Sequence, residues 1–438
     1  MTAGKAPHPF SIANYRIYWV VRLASMLALY SMMLIVGWQA YNLARETMGI
    51  EASATRLGLI GLLQFLPLFF LTPVTGWVAD NIDRRWVIRS VLAILTLLAA
   101  ALALLTRGGV LSLWMLYAFA VMLGAARAFL GPAHGALAAN LVPKESIPTA
   151  IALSSIAWQA GMLIGPAIAG PLYRVFDYLP YAVSAALFGV ATLGMFLVGP
   201  VPRSPPAEAG PLAQIREGMH YVLRNKLVLG VITLDLFAVL LAGATALIPV
   251  FARDILTGAD PETMLSMLAA APAAGAAVIA VTFSFFPLRH NVGNRMMGSV
   301  IIFGIATIFF AFSTVIWLSI ACLFICGAAD MFSVYVRSSL IQLNTPDSKR
   351  GRVSAVAQLT VSASNELGEA ESGMLAGLIG PVWAVVAGGV GAIMVTILWA
   401  RLFPQIGAAK SFDQPTDLDR RPAPANLEPI NRSGEPQP

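Results

Sequence analysis

The acids and bases able to do chemistry in this chain stand where charge is costly. Ser362, Glu366, Glu369 and Gly373 recur at steps of four, three and four, so they share one face of a helix. They interrupt an otherwise apolar stretch. Two ionised carboxylates so close in a low dielectric repel, so at least one is expected to hold a proton near neutral pH unless a cation neutralises it. Arg127 lies deep in another apolar stretch. An arginine there costs at least about 2.5–3.5 kcal/mol and must face the interior or water. Asp330 and Arg337, seven apart, share a third face, and Asp235 is one more acid within an apolar run. Arg22, Ser25, Trp38, Gln39 and Asn42 form a polar and aromatic stripe suited to touching a substrate, although Trp38 reads equally well as an interface anchor. Arg22, Trp38, Gln39, Asp235, Arg337 and Asn365 make the candidate substrate cavity. These residue types point to proton transfer and ion pairing in an apolar medium. No metal-ligand set, Ser-His-Asp arrangement or phosphate-binding loop stands out, so neither an enzyme nor a cofactor is expected. The missing Gly-x-x-x-x-Gly-Lys-Ser/Thr argues against ATP as the driving force. Cys322 and Cys326 read as small packing residues, and His134 as a packed residue rather than a proton shuttle.

These groups need helices to hold them. The composition is 58% hydrophobic and only 11% charged, and mean hydropathy is +0.76. A soluble domain carries about a quarter charged residues. Roughly 20 apolar residues cross a hydrocarbon core of about 30 Å. Twelve such spans are predicted, near 19–43, 57–80, 86–106, 111–137, 148–174, 180–200, 227–251, 263–287, 293–313, 317–343, 353–379 and 382–403. The fold class is therefore an all-α membrane protein with two six-helix bundles, 1–200 and 227–405. A linker, 201–226, carries a helix with Leu212, Ile215, Met219 and Val222 on one face. That helix is expected either on the membrane surface or packed on the bundle. The tail, 406–438, is polar, proline-rich and expected to be disordered.

Residues 124–173 recur at 327–376 with a constant offset of 203, which carries Gly124 onto Gly327, Gly165 onto Gly368 and Arg127 onto Asp330. Opposite charges at equivalent positions are expected to meet across the axis relating the halves. Two related bundles can rock around a site between them. The net charge of +6 would suggest nucleic acid in a soluble chain. Here thirteen Lys and Arg fall in loops after even-numbered spans, against five after odd-numbered ones (Arg45, Arg56, Arg107, Arg174 and Arg253). This positive-inside bias places both termini in the cytoplasm.

Three motifs carry a resemblance. The loop after the second span reads Gly76-Trp77-Val78-Ala79-Asp80-Asn81-Ile82-Asp83-Arg84-Arg85. It resembles the signature loop of the major facilitator superfamily, with Asn81 and Asp83 as departures. The resemblance implies a cytoplasmic gate built from Gly76, Asp80, Arg84 and Arg85. The run from Gly161 through Gly165 and Pro166 to Gly170 is similar to the superfamily's antiporter motif, with Ala169 as a departure. The Arg127 position resembles an arginine linked to proton coupling. Across residues 10–405 the chain is similar to the enterobactin-exporter-like branch, notably at Asn14–Trp19, Thr345–Val353 and Asn365–Gly373.

The resemblance implies a proton-coupled exporter of small siderophore- or drug-like molecules, working by alternating access as a monomer in a bacterial inner membrane. Glu366, Glu369, Arg127 and Asp330 would handle protons. A lysophospholipid or lipid flippase and a non-transporting sensor or assembly partner stay open as alternatives.

Overall fold

Lipid offers the backbone no hydrogen-bonding partner, so long apolar runs must close their bonds internally as helices. The computed structural model describes residues 7–201, 211–257, 260–288 and 290–412. Within its helices the side chains of Pro73, Gly76, Trp77, Ala79, Asp80, Asn81, Pro211, Leu212, Gln214, Asp347 and Ser348 also lie outside the described residues. The first half holds α1 (Ala13–Arg45), α2 (Ile50–Asn81), α3 (Arg84–Arg107), α4 (Leu113–Asn140), α5 (Ile147–Val175) and α6 (Leu179–Leu197). The connector α7 (Pro211–Arg224) leads to α8 (Lys226–Leu241). The chain continues through α9 (Ile248–Val250) and a π turn, Phe251–Ile255, into α10 (Pro261–Phe285), α11 (Val292–Phe312), α12 (Ile316–Leu343), α13 (Asp347–Ile379), α14 (Pro381–Leu402) and α15 (Pro404–Ala408). Short polar side chains start several helices by accepting orphan N–H groups, as Asn225 does from Leu227 and Val228 at 3.1 Å each. Gly380, at φ +86°, ends α13 so that Pro381 can begin α14.

Among the described residues, eleven stretches are long and apolar enough to cross a membrane. The twelfth span is α13, whose 33 residues extend about 50 Å. It departs from the others in composition, because its middle carries the glutamates. The halves repeat their packing. In the first, α1 rests on α5 and α6, α3 on α4 and α6, and α2 on α4. In the second, α8 rests on α13 and α14, α11 on α12 and α14, and α10 on α12. The halves join through α2 with α13 and α5 with α10, two pairs that the same correspondence exchanges.

The 203-residue offset now has a physical cause. A Cβ at Gly124 would run into the backbone of Gln64 on α2, and one at Gly327 into the backbone of Pro272 on α10. Both glycines allow the same close crossing in the two halves. Gly327→Val is expected to destabilise by more than the usual overpacking cost of about 1–3 kcal/mol, since backbone rather than a movable side chain blocks the way. Thermal unfolding in detergent reads this directly, and an unchanged midpoint contradicts it.

The connector helix α7 packs on the bundle. Glu217 pairs with Arg352 of α13, and the Tyr221 hydroxyl donates to the Asn344 carbonyl at 2.6 Å. The chain past residue 405 does not leave at once. Ile406 is fully buried, and the N–H groups of Asn291 and Gly293 donate to the carbonyls of Lys410 and Ala409 at 2.6 and 3.1 Å. Of the linker and tail expected from sequence, 202–210 and 413–438 lie outside the described residues.

Candidate functional site: an ion pair between the halves

Arg127 sits near the middle of α4 and Glu366 near the middle of α13, so the seam between halves brings them together. The guanidinium lies 2.7 Å from Glu366 Oε1, with side-chain exposures of 23% and 5%. It also donates to Gln64 Oε1 of α2 at 3.0 Å. Glu366 Oε2 is buried with no hydrogen-bond partner. One turn on, Glu369 lies against α2 at Gly61. A Cβ there would come within 2.7 Å of the Glu369 Cβ and 3.0 Å of its Oε2. Three of the expected residues, Arg127, Glu366 and Glu369, thus share one site. Asn365 beside them is exposed. Gln64 and Gly61 escaped the sequence reading because a lone amide and a glycine give no signal without their neighbours.

Asp330 is a correction. Arg127 faces Glu366, and Asp330 instead lines a small cavity with Asp235, Ala238, Val239, Val300, Phe303, Ala329 and Ser333, inside the second half. Arg337 pairs with Asp235 rather than facing a cavity, and both side chains are 7% exposed. Breaking a buried pair by removing one partner costs about 3–5 kcal/mol, whereas replacing both with apolar residues is often neutral. Arg337→Met should therefore lower thermal stability in detergent, and adding Asp235→Leu should restore much of it. Equal losses in single and double variants would refute a paired role.

The stripe on α1 also needs correction. Trp38 is 1% exposed within the core. Gln39 accepts from the Tyr181 hydroxyl at 2.8 Å and so faces α6. Arg22 is only part-buried, and its Nε is enclosed without a partner. His134 is fully buried, with both ring nitrogens unpartnered, and its carbonyl accepts from the Tyr18 hydroxyl at 2.8 Å.

In the gate loop the side chains of Gly76 and Asp80 lie outside the described residues. Arg84 opens α3. Arg85 pairs within its own loop, 2.7 Å from Asp83 Oδ2, while Asp83 caps α3 by accepting from the Arg85 N–H at 3.0 Å. The antiporter-like glycines are packing points. Gly161 and Gly165 seat α5 on α1 near Met26, Leu27 and Ser31. The Gly170 N–H donates to Ser266 Oγ of α10 at 2.7 Å. Pro166 is buried within an unbroken α5.

At the odd-loop ends, polar contacts also bind the halves together. Asp254 accepts from Arg45 Nε and NH2 at 3.2 and 3.0 Å, and from the Tyr41 hydroxyl at 2.5 Å. Arg253 donates to Asn42 Oδ1 at 2.5 Å. Arg174 approaches Asp260 at 3.0 Å. Hydrogen bonding from Thr263 holds the Asp260 carboxyl below the usual carboxylate range, and Arg174 adds to this. A lowered folded value means the contact is fully present above about pH 4 and is lost only as pH falls further. No motif revealed this cluster, because Asp254 lies 209 and 213 residues from its partners.

Toward the even-loop side α4 is bare of side chains. Gly131 and Gly135 follow Arg127 at helical steps of four. Both are exposed, and a Cβ at either would meet nothing within 4 Å. The arrangement can hold and neutralise charge between the two halves.

The family profile of the Major Facilitator Superfamily matches residues 19–368. An uncharacterized transporter of that type from Bacillus subtilis is 26% identical over 375 residues, covering 80% of this chain and 85% of that protein. The enterobactin exporter of Citrobacter koseri is 25% identical over 410 residues, covering 92% and 94%. Among solved structures, a POT family transporter in complex with 5-aminolevulinic acid superposes with a TM-score of 0.71 at 13% identity, covering 90% and 97% of the two chains. An inward-facing bacterial homolog of the human lysosomal transporter Spinster gives 0.69 at 15%, covering 90% and 98%. These likenesses establish the fold.

Proposed function

This chain belongs to the Major Facilitator Superfamily, and on that premise we propose that it is a proton-coupled exporter of small organic molecules working by alternating access. The observation that carries this is the Arg127–Glu366 pair across the seam, with Glu369 one turn away. One guanidinium balances one carboxylate. The second carboxylate, in the same low-dielectric layer, becomes neutral by taking a proton. Proton arrival or departure then changes the charge at the contact on which both halves turn. The relative named as an enterobactin exporter supports outward transport. On this reading the chain is a monomer in a bacterial inner membrane with both termini cytoplasmic. The closed odd-loop ends then face the periplasm, and cargo enters from the cytoplasm. Gly76, Asp80, Arg84 and Arg85 would close the cytoplasmic side in the opposite state. The glycines of α5 would let it slide on α1.

Efflux of a panel of amphipathic dyes from proteoliposomes, with and without an imposed pH gradient, tests the proposal. Gradient-dependent efflux that ends on adding a protonophore is expected. Efflux indifferent to the gradient would overturn the coupling, and lysolipid movement in place of dye efflux would make the protein a flippase.

A further inference from the structure

Among the arginines set well inside the spans, Arg127 has Glu366 and Arg337 has Asp235. Among the described residues the Arg22 side chain has neither an acid nor a hydrogen-bond acceptor. It lies nine residues into α1, about 14 Å along the helix from Ala13. No described carboxylate pairs with it, its Nε is enclosed and unpartnered, and the titratable side chains that act on it are the tyrosines Tyr18 and Tyr30. Next to it is His134, fully buried with two unpartnered ring nitrogens and near enough to feel the Arg22 charge. A cation held in a membrane interior without a counter-charge is a site awaiting one.

The surroundings narrow what that counter-charge is. Trp158 of α5 donates through its indole N–H to the Tyr30 hydroxyl at 2.8 Å. That bond fixes the indole beside α1 while leaving the residue 37% exposed. The same tyrosine lies within electrostatic reach of Arg22, Arg127 and Glu366, so it spans the distance between the unpaired cation and the ion-paired seam. Gly131 and Gly135 keep the facing surface of α4 bare, with space above both. These residues offer a cationic group, an aromatic side chain and a stretch of α4 bare of side chains.

We propose that Arg22 is the anchor for an anionic group on the transported molecule, and that the Tyr30–Trp158 pair holds an aromatic ring next to that group. The cargo is an aromatic organic anion. Resting on the transporter reading above, this names the substrate class of the same cavity. The planar fork of Arg22 accepts a carboxylate, sulfonate or phosphate oxygen pair. The ring packs against the indole, where aromatic faces gain beyond simple area burial. Arg127 is already neutralised, so it does not compete for the anion.

The test is calorimetric titration of the purified full-length protein in detergent. Naphthalene-2-carboxylate is the ligand, with naphthalene-2-carboxamide and 2-naphthylmethylammonium as neutral and cationic counterparts. Lysophosphatidylglycerol is a separate arm. The carboxylate is expected to bind best. Arg22→Gln should weaken it about 10–100-fold, the range of one charge-assisted hydrogen bond set, and should leave the carboxamide within about twofold. Arg22→Lys should retain part of the anion preference. That conservative variant keeps the comparison open if Arg22→Gln lowers the thermal midpoint. Trp158→Leu should weaken acid and amide alike.

Equal carboxylate binding by wild type and both Arg22 variants overturns the proposal, as does tighter binding of the ammonium. Binding of lysophosphatidylglycerol that depends on Arg22, with none of naphthalene-2-carboxylate, overturns the aromatic class. The outcome separates from that of the transport proposal. Anion binding lost in Arg22→Gln without gradient-driven flux sustains the site and removes the exporter. Flux that ignores Arg22 does the reverse.

Discussion

Glu366→Gln is expected to abolish pH-gradient-driven efflux while leaving counterflow exchange at equal pH measurable. The glutamine keeps the shape of the side chain and removes its charge, so Arg127 stands at mid-membrane without a carboxylate partner. Losing one member of a buried pair costs about 3–5 kcal/mol. Arg127 is 23% exposed, and screening reduces this to about 2–3 kcal/mol. At 1.4 kcal/mol per tenfold, the conformational equilibrium that depends on the contact moves about 30–150-fold. Arg127→Gln should act in the same direction. The double variant should recover stability, because no lone charge remains, yet stay uncoupled. That split separates a coupling role from a merely structural ion pair, which would restore both together. Glu369→Gln should flatten the dependence of efflux on pH while sparing the midpoint of thermal unfolding. Normal driven efflux by Glu366→Gln, with unchanged pH dependence, would remove this assignment.

Much of the architecture was legible because the membrane imposes it. Apolar runs of fixed length, and glycines at helix crossings such as Gly124 and Gly327, are local signals that a sequence cannot hide. Even α13, the least apolar span, was legible through its correspondence with α5. The face shared by Glu366 and Glu369 followed from helical spacing alone. Partners were not legible. Arg127 and Asp330 occupy equivalent places in the repeat, which made their pairing attractive. Helix α13 nevertheless places Glu366 nearer to Arg127, and α12 turns Asp330 into a cavity of its own half. Gln39 carried the right polarity for a cavity, yet rotation about α1 gives it to Tyr181. Charge type fixes the need for a partner; only the packing of distant segments decides which partner meets it.

The odd-loop cluster leads to the second large effect. Asp254→Asn should shift the protein toward the state open at those ends, the periplasmic side in the proposed orientation. Asp254 receives two hydrogen bonds from Arg45 and one from Tyr41, all reaching across the seam. Hydrogen bonds to charged groups contribute about 1.5–3 kcal/mol each when well enclosed. Here the side chains are 22% and 13% exposed, so the net effect is discounted to about 1–2 kcal/mol. That corresponds to a shift of about 5–30-fold in population. The contact lies at the odd-loop ends, so its loss weakens the state closed there. Spin labels at Glu46→Cys and Leu378→Cys, with Cys322 and Cys326 replaced by alanine, report the separation across this mouth, because both labelled positions are exposed. The distance distribution should gain a longer component in Asp254→Asn and a smaller one in Tyr41→Phe. Arg45→Lys, which keeps the charge but loses the two-pronged geometry, should fall between wild type and Asp254→Asn. Identical distributions in all four proteins would mean that the glycine contacts of α2 with α13 and of α5 with α10 close this side unaided.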